Sequence, residues 1–463
     1  MKRLEPRDYQ HTGVVSTIAY LKKRKNVLLV SPGGSGKTVM IAMLAARLRK
    51  MHLRVLILAQ RRELIQQAYR HLQGIGLPDN TFGVIMTSPD EDHIRPGAPI
   101  QIGSKQLFDC RTDLPTYDVV LVDEGHHVTA PGYQRIVMRK GVLRVGFTAT
   151  PERYDGAGLS AFYDVMIETA KPRELVDRGY LARPRIFTTL DELLPDLSEL
   201  RPTVNGDYAV YRLGHLVDKG VLLGNIVDNY ALHASGLSMS VHATNVAHSR
   251  HLVDRFVGSG VTAAHIDGDT SVTDRDRIVR LARQRRILIL SSCMVFSEGI
   301  SLREFQGTIM ARPTRSLTLY MQQANRAMHH KGKDRPIILD HARNVLYHGR
   351  PDADREFTLE DGQVKPQSKA KHPPVKVCGE CNAVNLPSAT ACEECEHPFH
   401  ASTIPQETDA VLREMTLAEV RKLKKRLAAY GKKQGWSATH VATWVNKVLK
   451  QWWSERGLTP MQT

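Results

Sequence analysis

Short runs of valine, isoleucine and leucine alternate along most of this chain with segments whose apolar residues recur every three or four positions. The first pattern suits buried parallel strands, and the second suits helices packed on their faces. The run from Val27 to Ser31 leads through Pro32 and a glycine-rich turn into the helical stretch VMIAMLAARLRK. A second strand and helix follow between Leu53 and Leu72, and further strands are predicted within Tyr117 to His127 and Leu143 to Thr150. From about 170 to 217 the pattern breaks, with Pro172, Pro184, Pro195 and Pro202 among charged residues. That stretch is predicted to be a connection containing short elements and no catalytic residue. The alternation resumes near Val221, with a strand at about 237 to 243 and a helix after it. VTDRDRIVRLARQ, RRILILSS, GTIMAR, LTLYMQQANRAMHH and RPIILDHA then read as helix, strand, strand, helix and strand. This spacing predicts two α/β lobes, each a sheet between helices.

Composition adds size and a partner. A chain of 463 residues can bury several cores, and 42% hydrophobic with 24% charged residues is a globular balance. No apolar run reaches the roughly eighteen residues of a membrane helix, and no apolar segment follows the basic start as in a signal peptide. A soluble, cytoplasmic protein with no membrane partner is therefore expected. The formal net charge of +16 favours a partner with a phosphate backbone, although it says nothing about fold.

The chemistry begins at PGGSGKT, residues 32–38, between a predicted strand and helix. Closely spaced glycines let backbone amides turn around phosphate oxygens, Lys37 can reach the terminal phosphates, and the Thr38 hydroxyl can hold magnesium. The strict pattern asks for glycine where Ser31 stands. Asp123 and Glu124 end the run from Tyr117, where open α/β sheets bind ligands. Asp123 can organise magnesium through water while Glu124 orients or deprotonates an attacking water, as phosphoryl transfer to water requires. Thr148 and Thr150 close the following strand and could carry a hydrogen-bond signal towards a neighbouring lobe, or simply cap the strand.

PGGSGKT, DEGH at 123–126, TAT at 148–150 and QQANR at 322–326, in that order, resemble the motifs of superfamily 2 helicases, in the DEAD/DEAH-box and restriction-helicase branch. RDYQ at 7–10, LAQRREL at 58–64, SVHATNVAHSRHL, SEGI at 297–300 and ARPTRSLTLYMQQ at 311–323, with a cysteine-bearing tail, look like the RadD-type bacterial and phage helicases. The likeness covers about 350 residues and implies two tandem RecA-like P-loop lobes in a bacterial or phage-infected cell. It implies that Arg7 and Gln10 recognise adenine, and that Gly33, Gly34, Ser35, Gly36, Lys37 and Thr38 bind the phosphates and magnesium. Asp123 and Glu124 would support hydrolysis with Lys37, and Arg326 would face the nucleotide from the second lobe. His126, Thr148, Thr150, Gln322, Gln323 and His329 would couple the site to that lobe. The implied function is an ATP-dependent helicase or translocase, a nucleic-acid-dependent ATPase acting on DNA, with RNA as the second candidate. The chain departs from the pattern at Asn325, where the family has glycine, at His329, where it has arginine, and at Ser301, where it has aspartate. Gly125 also replaces the usual alanine. A histidine carries only fractional charge near neutral pH, so the alternative reading is an ATP-responsive DNA-binding or regulatory clamp with weak or absent turnover.

The expected domains are an ATP-binding lobe at 1–168, a connecting segment at 169–217, a second lobe at 218–348 and a basic linker at 349–376. A zinc-binding module at 377–400 and a basic helical module at 410–456 follow. Cys378, Cys381, Cys392 and Cys395 form two close pairs, a spacing for tetrahedral zinc rather than disulfides, with Lys376 nearby as a candidate phosphate contact. In the tail, Leu417, Val420, Leu423, Leu427 and Tyr430 form an apolar stripe opposite Arg421, Lys422, Lys424, Lys425, Arg426, Lys432 and Lys433. That face is predicted to grip nucleic acid a second time or to dock a protein partner.

Overall fold

The computed structural model describes residues 5–59, 62–85, 95, 97–105, 108, 114–152, 157–189, 207–209, 213–214, 220–293, 305–329, 335–360 and 375–399. The chain divides into Met1–Phe399 and His400–Thr463, and the second unit lies outside the described residues. The tail module with Arg421, Lys422, Lys424, Lys425, Arg426, Lys432 and Lys433 is thus outside them, as are Ser301 and residues 361–374 of the expected linker.

The first lobe runs α1 (Asp8–Lys22), β1 (Val27–Val30), α2 (Lys37–Lys50), β2 (Val55–Ala59), α3 (Arg62–Gly74), β3 (Phe82–Ile85), β4 (Ile100–Ser104), β5 (Val119–Asp123), α4 (Pro131–Val137), β6 (Leu143–Thr148) and β7 (Val165–Glu168). Its strands make one parallel sheet in the order β3-β4-β2-β5-β6-β1-β7. β1, β2 and β5 are buried from end to end, which is why each reads as an unbroken apolar run. One face packs residues of α1, α2 and α3 such as Val14, Leu44 and Leu72, and the other packs Val128, Ile136 and Tyr163. β6 lies between β5 and β1, so the carboxyl ends of the strands that carry DEGH, TAT and the glycine loop are neighbours.

The second sheet starts earlier than residue 218. After α5 (Pro172–Asp177), β8 (Arg185–Thr188) leaves the expected connection and becomes its edge strand. α6 (Gly220–His233), β9 (Met239–His242), α7 (Val246–Gly258), β10 (Ala263–Ile266), α8 (Val272–Arg283), β11 (Ile289–Ser292), β12 (Gly307–Met310), α9 (Leu317–Met328), β13 (Ile337–Asp340) and α10 (Asn344–His348) follow. The order is β10-β11-β9-β12-β13-β8, again all parallel. Three helix starts are fixed by side-chain caps, with Asn245, Ser271 and Ser316 accepting from the amides of His248, Asp274 and Leu319.

Residues 349–360, expected to open a linker, instead form a strap from the second lobe back to the first. At its start Tyr320 Oη donates to Gly349 O at 2.8 Å, and Arg350 is buried with Asp352 at 2.9 Å. At its end Leu359 O accepts from Leu159 N at 2.9 Å and Ser160 N at 3.0 Å, while Phe357 and Leu359 pack on the first lobe's core. Between them Arg355 and Phe357 line a cleft with Val30, Pro32, Thr150 and Met321.

The strap docks where Gly158 leaves room: a Cβ there would stand 2.6 Å from Glu360 C and would overlap Leu359 O. Gly158→Ala is therefore expected to destabilise the chain by about 1–3 kcal/mol and to expose residues 354–360 to protease. Denaturant unfolding with limited proteolysis checks this, and an unchanged midpoint with a protected strap refutes it.

Candidate active site

The glycine loop is held in shape from outside itself. Ser31 N donates to Thr148 O at 2.9 Å, which ties the loop entrance to the end of β6. Ser31 Oγ donates to Ser35 Oγ at 2.7 Å and accepts from Thr169 Oγ1 at 2.7 Å. The serine that replaces the pattern's glycine is thus a buried bridge between two ends of the loop and the segment after β7. Tyr9 Oη at 2.5 Å and Gln10 Nε2 at 2.6 Å both donate to Ser35 O. Gly34 and Gly36 have φ of 81° and 86°, the left-handed region where a side chain is strained, so these two positions require glycine. Lys37 and Thr38 then start α2, whose first amides and positive dipole end point into the loop.

Gln10 also accepts from Arg7 N at 2.9 Å, and the Arg7 guanidinium lies 4.1 Å from the centre of the Tyr180 ring. Arg7 and Gln10, expected at the base, therefore stand beside the loop. Tyr180 comes from the segment expected to be a connection without catalytic residues. No motif marks it, because its contribution is a flat ring delivered by the fold.

At the end of β5, Asp123 Oδ1 accepts from Glu124 N at 3.0 Å. Glu124 takes a left-handed conformation with φ 51°, costly for a residue with a side chain and typical of positions where the backbone aims a reactive group. His126 Nδ1 lies 3.0 Å from Thr148 Oγ1 and 3.6 Å from Glu124 Oε2. Burial, with the charges of His127 and Lys37, pushes the imidazole well below its ordinary value. The ring is neutral at neutral pH, and its contact with Glu124 is polar rather than an ion pair. Thr148 Oγ1 donates to Thr150 O at 3.0 Å, so its hydrogen is committed and His126 Nδ1 is the donor to it. Thr150 Oγ1 donates to Thr318 Oγ1 at 2.9 Å. Thr318 lies on α9, so a chain of hydrogen bonds runs from His126, beside Glu124, into the second lobe.

α9 also meets the loop directly. A Cβ on Gly33 would overlap the Asn325 side chain, and one on Gly34 would stand 2.7 Å from the His329 ring and from Leu181 Cδ2. Arg326 projects from the same helix, and burial together with the Arg326 and Arg312 charges pushes His242 at the end of β9 down to about 3. Gln322 is half-buried; Gln323 is buried, and its Oε1 meets no donor among the described residues. The structure thus sets Lys37, Glu124, His126, Thr148 and Thr150 beside one another at the strand ends and Asn325 and His329 against the loop, and adds Tyr9, Ser31, Thr169, Tyr180 and Thr318 to the expected set.

The cysteines form a separate centre. β14 (Lys376–Val377) and β15 (Val384–Asn385) make a small hairpin that carries Cys378 and Cys381, and the thiols of Cys378, Cys381, Cys392 and Cys395 all lie within 4.8 Å of one another. Cys378 to Cys395 and Cys381 to Cys392 are each 3.6 Å. Sulfurs 2.3 Å from a tetrahedral centre stand about 3.8 Å apart, so the cluster fits a metal such as zinc. Glu394 N and Asn385 Nδ2 point at Cys392 Sγ at 3.5 and 3.6 Å, donors suited to a thiolate. The module is not tethered loosely. Phe187 of β8 bridges to Ala383, Arg183 pairs with Glu393 at 2.7 Å and Arg185 with Glu394 at 2.5 Å. Lys376 Nζ donates to Ala389 O at 2.8 Å beside the Phe399 ring.

Comparison with known proteins fits this geometry. Residues 3–153 match the family model described as type III restriction enzyme, res subunit, and residues 230–331 match the helicase conserved C-terminal domain. The chain is 30% identical to a "51.5 kDa protein" of a Lactococcus phage over 91% of its length and 89% of that relative. It is 28% identical to the "Putative ATP-dependent helicase IRC3" of Saccharomyces cerevisiae over 72% of its length, and spans 51% of that protein. The ATP-dependent type ISP restriction-modification enzyme LlaBIII, solved bound to DNA, superposes at TM-score 0.56 and 18% identity over 73% of this chain and 28% of that one. A fragment of an HsdR subunit of a type I restriction enzyme from Vibrio vulnificus superposes at 0.57 and 17% identity, over 78% and 69%. The two superpositions establish the two-lobed fold.

His126 also makes stability depend on pH. Its protonation is suppressed in the folded chain but not in the unfolded one, so below about pH 6.5 the unfolded chain binds the extra proton. Its contribution is present above that pH and lost as pH falls. Replacing His126 by asparagine is expected to reduce the proton uptake on unfolding between pH 6.5 and 5 by about one. Urea unfolding across this range measures it, and an identical pH slope in the variant would show that the ring is not held neutral.

Proposed function

This chain belongs to the superfamily 2 helicases, and on that footing we propose that it hydrolyses ATP between its two RecA-like lobes to drive movement along DNA. The observation that carries the reading is the hydrogen-bonded line from His126, which lies beside Glu124, through Thr148 and Thr150 to Thr318. It gives events at the phosphate a physical route to the second lobe. Lys37 and the loop amides would hold the phosphates, Thr38 and Asp123 would hold magnesium, and Glu124 would position the attacking water. Arg326 would steady the charge that develops on the transferred phosphate. Arg7 and Gln10, with Tyr180, suit the adenine side. The net charge of +16 and the DNA-bound state of a similarly folded restriction enzyme support a nucleic-acid track, and the basic tail is read as a second grip. Phosphates rather than bases would be held, so RNA stimulation is the comparison that tests the preference for DNA.

Turnover assays with and without single-stranded DNA test the motor. Lys37→Ala and Glu124→Gln are each expected to lower stimulated hydrolysis by about a hundredfold or more. Thr318→Val is expected to keep ATP affinity while DNA stimulation falls by about tenfold. Tight ATP binding with background hydrolysis in the native chain sinks the motor and favours a nucleotide-responsive clamp.

We read the cysteine cluster as a structural zinc site, closed by four protein ligands and without an open position for chemistry. One zinc per chain is expected by elemental analysis. Chelation or Cys392→Ser should lower the thermal midpoint, because the cysteines share a core with Phe187, Met239 and Ile337 of the second lobe. A metal-free chain with an unchanged midpoint contradicts this.

A further inference from the structure

The turn after β5, Gly125–Thr129, is held in part by a distant tyrosine. Glu124, which opens it, keeps its left-handed backbone only as long as its surroundings fix it. Locally, Glu124 N donates to Asp123 Oδ1 at 3.0 Å and Glu124 O accepts from His127 N at 3.0 Å. Further support comes from Tyr163, whose Oη donates to Gly125 O at 3.0 Å, one residue from Glu124. Gly125 rests directly on β6, since a Cβ there would stand 2.7 Å from Gly146 Cα and 3.0 Å from Phe147 N. A Cβ on Gly146 would overlap Tyr163 Oη, so the hydroxyl reaches the turn through room that only glycine leaves. Tyr163 is 1% exposed and shares a core with Val128 and Ile136. Burial raises its phenol above the ordinary range, so the proton it donates is retained. The tyrosine is held in turn by the strap: Tyr163 N and Phe162 N donate to Leu159 O at 3.0 and 2.9 Å, and Leu159 N donates to Leu359 O at 2.9 Å.

Resting on the ATPase reading above, we propose that Tyr163 is a positioning residue for Glu124, and that docking of the strap sets it in place. The phenol is buried beneath the turn, so it acts through Glu124 and not on the nucleotide. Without its hydrogen bond the peptide after Glu124 loses a fixed point, and the carboxylate drifts from the water it has to orient. Hydrolysis then slows while the glycine loop, Lys37 and the adenine side still hold ATP. The strap follows the second lobe in the chain, so that lobe gains a path to the acid through Leu359, Leu159 and Tyr163, separate from the line through Thr150 and Thr318.

The test is ATP turnover by the full chain at saturating single-stranded DNA, resolved into kcat and KM, with thermal midpoints, for the native protein, Tyr163→Phe, Gly158→Ala and Ile136→Ala. Tyr163→Phe is expected to lose about tenfold or more in kcat, with KM for ATP within about twofold of native. Gly158→Ala, which disturbs the docking of the strap, should show the same split. Ile136→Ala opens a cavity in the same core but leaves the Tyr163 hydroxyl in place, so it should lower the midpoint at least as far and keep the native kcat. A native kcat in Tyr163→Phe overturns the proposal. So does an Ile136→Ala chain that loses as much kcat as Tyr163→Phe, because the effect would then be one of stability. A native kcat in Gly158→Ala overturns the role of the strap. If the native chain binds ATP without turnover, the motor reading fails on its own, and amide exchange over residues 124–129 decides for the tyrosine. Exchange about tenfold faster in Tyr163→Phe supports a turn held by its hydroxyl, and unchanged exchange overturns it.

Discussion

A glycine loop with left-handed turns has few side chains to hold its own shape, and much of the first lobe answers that constraint. The carbonyl of Ser35 takes two hydrogen bonds from Tyr9 and Gln10, and its hydroxyl is bridged through Ser31 to Thr169. These groups come from the first helix, the loop entrance and the segment after the edge strand β7. The parallel order of the sheet makes the arrangement affordable, because the strands that end in the acidic pair, the threonines and the loop lie side by side.

The same economy extends between the lobes. Thr148 and Thr150 serve the first sheet's end and pass a hydrogen bond to Thr318, so one short line both finishes a strand and joins two domains. The committed hydrogen of Thr148 sets the polarity of that line, since His126 Nδ1 must then donate to it, beside the amide of Thr150. The strap at 349–360 joins the lobes a second time, through Leu359 carbonyl contacts and the half-buried Phe357 and Leu359, and its Arg355 and Phe357 share a cleft with Thr150. Relative motion of the lobes is therefore framed by a polar contact and a backbone contact.

Much of this could be read in advance where the chemistry demands particular side chains at particular spacings. The glycine loop, DEGH, TAT and the paired cysteines are such cases, and the strands beside them announced themselves because they are buried on both faces. β3, β4, β7 and β8 did not. β4 carries Gln101 and Gly103, β7 is only half-buried, and β8 is a four-residue edge among prolines and arginines, so none shows a clean run. Tyr180 and Thr318 escaped for another reason: each contributes through a neighbour supplied by folding, and nothing in a single sequence pairs residue 150 with residue 318. The strap read as linker because its apolar residues, Phe357 and Leu359, are too few to make a periodic signal.

The placement of β8 has a consequence for how the chain is made. It is the first strand of the second sheet to be synthesised, yet its ladder partner β13 lies about 150 residues later, and the hairpin that covers its outer edge comes later still. At roughly 5–20 residues per second on the ribosome, the strand would wait about eight to thirty seconds with both edges open. Arg183 and Arg185, which finally clasp Glu393 and Glu394, flank it throughout that interval, and like charges on an open edge repel a second nascent copy. The arginines that seat the cysteine module at the end of synthesis thus guard the strand against pairing between polysome neighbours before the module exists.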